Sequence, residues 1–307
     1  MNFTLPRDAV SGDANVYVAL MPENLGYAGA INALLRPLLQ LPGWHAAWIL
    51  NPDTEPAPSA LFELADYARK HQKGMVGSRI ICATHPDDVH VCGLSWRKLT
   101  ARTVEIDHST AAYCESGPNN VEAYIDSPDG ASIYVSRSLI ERIGLMDECY
   151  FLYFEDVEWG LRAKKLDELG YAYRSVVWHK GGTTTGSAGT RAGRSKFVVY
   201  MEFRNRIIFV RHQHAAWLPW TVLMQAVHMA TYLAAGAFTN MLAAGRGVLA
   251  GLSGEIGRPD DILQAHTARL AGHSAGGRVL PSGALATVRS SGRGRVRAIS
   301  NKQAQGG

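Results

Sequence analysis

Residues 143 to 182 read IGLMDECYFLYFEDVEWGLRAKKLDELGYAYRSVVWHKGG, and this stretch decides the fold. An apolar and aromatic run, Phe151 to Phe154, leads directly into Glu155-Asp156-Val157-Glu158. Acids in the first turn of a helix are stabilised by its macrodipole and need no function. Capping does not explain why the apolar run ahead of them sets these acids on the floor of a pocket. The spacing predicts a helix over Glu155 to Leu169, with Trp159, Ala163 and Leu166 at i, i+4 and i+7 on one face. The apolar segment Ser175 to Trp178 then reads as a strand that delivers His179 just before Gly181 and Gly182. A lone His at a strand end is usually a hydrogen-bonded surface residue.

Working upstream, Val16 to Leu20 reads as a short buried strand and Ala28 to Leu39 as a helix that Pro37 must bend or end. Ala46 to Leu50 is a second strand, Pro58-Ser59 opens a helix to about His71, and Met75 to Ile81 is a third strand. That alternation argues for a parallel α/β sheet. His90 to Ile125 reads as an irregular or antiparallel insertion, Ala131 to Val135 resumes a strand, and Arg137 to Ile143 is a short helix. Asn51-Pro52-Asp53 follows the second strand; by composition it is a turn, but a strand end is also where a metal carboxylate would sit. Arg204-Asn205 falls late in a helix-like segment, Lys196 to Arg211, where a solvated face would account for it.

At 307 residues the chain can bury a substantial core in one domain or two. The net charge of +4 owes much to Arg278, Arg289, Arg293, Arg295 and Arg297 in a Gly- and Ser-rich tail, so it implies no nucleic-acid partner. Such a tail suits an anionic membrane surface equally well. Cys82, Cys92, Cys114 and Cys149 lack CxxC spacing and read as reduced thiols in a cytoplasm. The first fifteen residues lack the apolar core of a signal peptide. Between Arg211 and Arg246 no residue is charged, and a run of ~20 residues there is long enough to cross a bilayer. Pro219, Gln225 and His228 interrupt it, while Trp217 and Trp220 gather at one end, which favours an in-plane interfacial helix over a buried helix or a span. Three regions are expected: 1–210 a catalytic domain, 211–270 a membrane-associating helical region, and 271–307 a disordered basic tail.

Taken in order, these motifs resemble the inverting family-two glycosyltransferases, in particular the bacterial rhamnosyltransferase-like branch that builds cell-envelope polysaccharide. The likeness covers roughly 16–210 and includes Asn24-Leu25-Gly26-Tyr27-Ala28-Gly29-Ala30-Ile31-Asn32, similar to the family's Asn-x-Gly-aromatic-Ala-Gly-x-x-Asn segment. It implies a GT-A type, Rossmann-like three-layer α/β sheet with C-terminal helices. It implies transfer of a hexose or deoxyhexose from a nucleotide diphosphate sugar to a glycan or lipid-linked acceptor, at the inner face of the cytoplasmic membrane. Asp156 would be the base, with Glu155 and Glu158 binding hydroxyls or orienting it. Asp53 and His179 would hold Mg²⁺ or Mn²⁺ across the donor diphosphate. Asn24, Gly26, Gly29, Asn32, Asn51, Gly130, Ala131, Ser132, Trp178, Gly181 and Gly182 would line the donor and acceptor pocket, the last two opening a loop that closes on the donor.

The family's opening strand, with its Asp-Asn-x-Ser-x-Asp type segment, has no counterpart, so the chain enters the pattern at what would be the second strand. This favours one rival, a non-catalytic, membrane-associated remnant that binds glycan or nucleotide sugar. A nucleotidyltransferase is a weaker rival, because the phosphate-gripping basic loop it needs is missing from the sequence.

Overall fold

The computed structural model describes residues 16–19, 21–83, 90–107, 121–180, 190–274 and 296–299. Its centre is a seven-stranded sheet. The strands are β2 (Ala46–Leu50), β3 (Thr54–Pro56), β4 (Met75–Cys82), β5 (His90–Arg97), β6 (Arg102–Asp107), β7 (Ser132–Ser136) and β8 (Leu169–His179). Helices α1 (Gly26–Leu39), α2 (Ala60–His71), α3 (Arg137–Ile143) and α4 (Glu155–Lys164) cover it. Helices α5 (Lys196–Gln213), α6 (Leu218–Ala234), α7 (Phe238–Ser253) and α8 (Asp260–Ser274) follow.

The sheet is mixed, not parallel. β4 and β8 pair in parallel, whereas β7 runs antiparallel between β2 and β4. β2 and β4 still point the same way, as a strand-helix-strand crossover through α2 requires. A local strand pattern cannot show that a later strand will insert between them. The insertion after β4 is the antiparallel hairpin β5–β6, as expected, and its middle section lies outside the described residues.

Several elements depart from the sequence reading. β1 (Val16–Ala19) does not join the main sheet but pairs in parallel with β9 (Val296–Ile299). The tail is therefore not structureless throughout: α8 reaches Ser274, β9 forms a strand, and the rest lies outside the described residues. Pro37 lies in the last turn of α1, two residues before the helix ends at Leu39, so it stands near the end as expected without breaking the helix at its own position. α4 stops at Lys164, and Leu166 is exposed while Trp159 and Ala163 are fully buried, so the apolar face is shorter than its spacing suggests. Cys82 and Cys149 keep their thiols, but Cys92 is disulfide-bonded, which spacing along the chain does not show.

The core between the sheet and α1, α3 and α4 is built on Met75, Ile133, Val135, Trp159 and Tyr171. α5 is buried around most of its circumference, which marks it as a central helix rather than a surface one. It packs against α7 and α6, and its residue Phe209 meets Trp96 of β5 and Phe154 in front of α4. α5 thus ties the C-terminal helices to the sheet beside the acidic helix start. No helix among the described residues is long and apolar enough to cross a membrane. The charge-free run is split by Gly236, in left-handed backbone, into α6 and α7.

Candidate active site

β2, β4 and β8 share one direction, so Asn51, which follows β2, and His179, which ends β8, reach the same edge of the sheet. This is the carboxyl edge, where open α/β sheets bind ligands. Because β7 is antiparallel, its lead-in, Asp129-Gly130-Ala131, arrives at that edge too. The start of α4 closes the floor. Together they line a cleft of about 440 Å³ that includes Tyr27, Asn51, Asp129, Gly130, Glu155, Asp156 and His179, with Arg102, Arg194 and Arg206 also among its lining.

The acids are aimed by strained backbone. Phe151, Tyr153 and Phe154 all take positive φ (63°, 69° and 78°), a conformation that L residues rarely adopt. Asn205 holds the segment in place: its amide donates to the Tyr150, Leu152 and Tyr153 carbonyls at 2.7, 2.8 and 2.9 Å. Arg204 adds a bond to the Tyr150 carbonyl at 3.2 Å. Both residues are fully buried, so a solvated helix face is not their explanation. α1 braces the same segment, because the Tyr27 N–H donates to the Phe151 carbonyl at 2.8 Å. A Cβ on Gly26 would stand 2.2 Å from that carbonyl oxygen, which is why glycine opens this helix.

Three carboxylates face one another across the floor. The Ala131 N–H donates to Asp129 Oδ1 at 2.7 Å, and the Val157 N–H donates to Asp156 Oδ1 at 2.8 Å. A Cβ on Gly130 would lie 3.1 Å from Asp156 Oδ2. Burial, and then the neighbouring Asp129, push Asp156 up to about 7. Burial, and then Asp156, push Glu155 up to about 8, and its Oε2 has no hydrogen-bond partner. Burial also raises Asp129, with the nearby His179 opposing it. The three share protons as a set, and near neutral pH the set holds both a proton and a negative charge. Tyr27 donates its hydroxyl to the Gly130 carbonyl and stays protonated through burial and these charges.

At the rim, His179 Nε2 lies 3.2 Å from Asp53 Oδ1, brought there by the pairing of β3 with the end of β8. His179 lines the cleft, and Asp53 stands beside it outside the lining. Two ligand atoms bound in cis positions at ~2.1 Å from one cation lie about 3 Å apart, so an imidazole nitrogen and a carboxylate oxygen at this spacing fit one divalent ion. A trio elsewhere, Asp147, Cys149 and His212, has its ligand atoms within 4.8 Å of one another but does not line the cleft. Burial, then Asp147, pushes the Cys149 thiol up, which opposes the thiolate a metal needs.

The remaining expected residues divide clearly. Gly130, Ala131 and Asn51 line the cleft. Asn24 caps its own turn, accepting from the Gly26 N–H at 2.9 Å. Asn32 is buried and bonded to the Met146 backbone and to Glu148, so it docks α1 rather than meeting the cleft. Gly29 packs closely against Leu25. Ser132 accepts from Trp48 Nε1 at 3.0 Å and meets Ser78 at 2.7 Å inside the sheet. Glu158 pairs with Arg162 at 2.8 Å, and Trp178 lies on β8 opposite Glu55; neither lines the cleft. Gly181 and Gly182 lie outside the described residues. Sequence reasoning missed Asp129, Tyr27 and the three arginines. Asp129 sits in Ser-Pro-Asp-Gly, a turn by composition, and only its burial beside Asp156 sets it apart.

The chain's likenesses are to named glycosyltransferases; they support a rhamnosyltransferase-like glycosyltransferase, and the mixed α/β sheet is consistent with the GT-A class. The chain is 27% identical over 239 residues to the N-acetylglucosaminyl-diphospho-decaprenol L-rhamnosyltransferase of Mycobacterium tuberculosis, covering 71% of this chain and 75% of that enzyme. It is 23% identical over 185 residues to a low-salt glycan biosynthesis hexosyltransferase of Haloferax volcanii, covering 60% of this chain and 57% of that protein. No family model matches the chain.

Proposed function

We propose that the chain transfers a hexose or deoxyhexose, of the rhamnose kind, from a nucleotide diphosphate sugar to a lipid-linked or glycan acceptor in cell-envelope polysaccharide synthesis, with inversion. The observation that carries this reading is Asp156, buried beside Asp129 and Glu155 and pushed up to about 7, which is where a general base for a sugar hydroxyl works best at neutral pH. Asp156 takes the proton of the acceptor hydroxyl as that oxygen attacks the anomeric carbon from the face opposite the leaving diphosphate. Glu155, higher still, keeps its proton and leaves the charge to Asp156. Asp53 and His179 would hold Mg²⁺ or Mn²⁺, which when bound neutralises the diphosphate as it leaves. The acceptor class follows the Mycobacterium tuberculosis relative, whose name specifies a diphospho-decaprenol acceptor. Peripheral contact with the inner face of the cytoplasmic membrane would bring the cleft to such an acceptor.

The rival of a non-catalytic remnant is weakened by the strain the chain maintains ahead of Glu155, since a binding relic has no need to hold a base in place. The test is calorimetry of UDP-, TDP- and GDP-sugars with the full chain. One of them should bind with Mn²⁺ or Mg²⁺, and Asp53→Ala should remove the metal dependence with most of the affinity. Equal binding in excess chelator would refute the metal assignment, and no transfer to any polyprenyl diphosphate sugar would refute the acceptor class.

A further inference from the structure

Two charged clusters line the cleft. Asp129, Glu155 and Asp156 act on one another, with His179 acting on Asp129, whereas Arg102 and Arg194 act on Arg206. The charges acting on Arg206 are those of Glu202, Arg102, Tyr232 and Arg194, and the charge acting on Asp156 is that of Asp129. Arg194 is engaged: it pairs with Glu202 and donates to the Tyr232 hydroxyl at 3.0 Å.

Arg206 stands differently. It is 6% exposed and lines the cleft from α5. Its Nη1 donates to Gln225 Oε1 at 2.8 Å and meets His228 Nδ1 at 3.3 Å, both on α6. Burial, then Arg206 and Arg102, hold His228 down to about 4, so that partner is neutral at physiological pH. Arg206 Nε is buried and has no partner. A residue serving only to tie α5 to α6 would be satisfied by Gln225; a buried guanidinium with neutral acceptors and an idle N–H calls for an anion. The main charges acting on Arg206 are two arginines, Arg102 and Arg194, against one carboxylate, Glu202, which leaves a positive surplus around it.

We propose that Arg206 and Arg102 form an anion subsite for a phosphate or diphosphate group carried by the acceptor, an inference that rests on the glycosyltransferase reading above. That reading assigns the donor diphosphate to Asp53 and His179 and the acceptor hydroxyl to Asp156. The cations of the same cleft that this leaves to the acceptor's own phosphate are Arg102 and Arg206. α6, which supplies Gln225 and His228 to Arg206, also exposes Trp220, Leu223 and Val227, so the same helix offers an apolar face to a lipid-linked acceptor.

The test is calorimetry of inorganic pyrophosphate with the full chain in excess EDTA, where a metal-dependent donor site is silent. Pyrophosphate should bind, and Arg102→Gln, at an exposed position that folding tolerates, should weaken it at least tenfold, as should Arg206→Gln if that variant folds. Asp53→Ala should leave it unchanged. Binding should persist when the full chain is saturated with whichever of UDP, TDP or GDP it takes up with Mn²⁺. No binding, binding indifferent to Arg102→Gln, or displacement by the nucleotide would overturn the subsite, the last by reassigning the arginines to the donor. Intact pyrophosphate binding with no nucleotide binding under any metal would support the subsite and count against the donor reading instead.

Discussion

Phe151, Tyr153 and Phe154 hold backbone conformations that cost roughly 1–3 kcal/mol each, and Asn205 and Arg204 are what keep them there. The two amide protons of Asn205 serve three carbonyls, so Asn205→Ala leaves buried acceptors unpaired and should cost about 1–3 kcal/mol in thermal unfolding. Turnover should fall further than stability implies, because the released segment carries Glu155 and Asp156. A variant with lowered Tm and full turnover would refute that coupling. Titration separates the acids from the frame. Glu155 and Asp156 both bind protons more tightly folded than unfolded, so their contribution to stability is greatest at and below the ordinary carboxylate range. It falls as pH rises through about 7 and 8 and then levels. Activity should run the other way over the same window, because the base must ionise. Asp156→Asn should flatten part of the stability decline and lower turnover by about 10²- to 10⁴-fold with little change in donor affinity. Rate and Tm measured together from pH 5 to 9 check both signs.

At the scale of elements, the strands and helices whose pattern is local were legible in the sequence. β2, α3 and the start of α4 fall where apolar runs and the acidic turn place them. Pairing was not legible, since β7 slots between β2 and β4 from far along the chain and β1 finds β9. The same limit governs the site. Asp53 and His179 were readable because each follows or ends a strand, whereas Asp129 needed the direction of β7, which no local signal carries. Arg204-Asn205 were readable as a pair but not as a brace, because the carbonyls they serve lie more than forty residues away, between Tyr150 and Tyr153. Gly160 shows how tightly these elements meet: a Cβ there would lie 2.5 Å from Ser127 Cα and 2.6 Å from the Asp126 carbonyl oxygen. Gly160→Ala should therefore drive α4 off the segment that leads to Asp129, costing about 1–3 kcal/mol. The separation of Asp156 from Asp129 should lower turnover and draw the activity midpoint down toward the ordinary carboxylate range. An unchanged pH midpoint would mean the helix had been accommodated without moving the acids apart.

For the whole molecule the open question is what the C-terminal helices face. α5 gives most of its surface to the interior, yet α6 and α7 leave apolar stripes outside. Trp220, Leu223 and Val227 are exposed along α6 at i, i+3 and i+7. Phe238, Leu242, Leu249 and Leu252 do the same along α7, at steps of four, seven and three residues. Scattered exposed leucines need no account, but stripes at helical spacing on two helices that pack together are of the kind that marks an interaction surface. Trp217 and Trp220, partly exposed where α6 begins, have the amphipathic rings that settle at the headgroup level. With no helix among the described residues long enough to span, such a surface would lie in the plane of the membrane, its face buried by a few ångströms. Arginines in the tail would add a salt-sensitive attraction of about 1 kcal/mol each near anionic lipid. The full chain should therefore float with vesicles of anionic and zwitterionic phospholipid. High salt should release part of it, and Leu223→Asp combined with Leu249→Asp should release most of the remainder without lowering Tm, since both side chains are already exposed. A chain that stays with the soluble fraction at low salt, or a double variant that binds as well as the parent, would show that these stripes face something other than lipid.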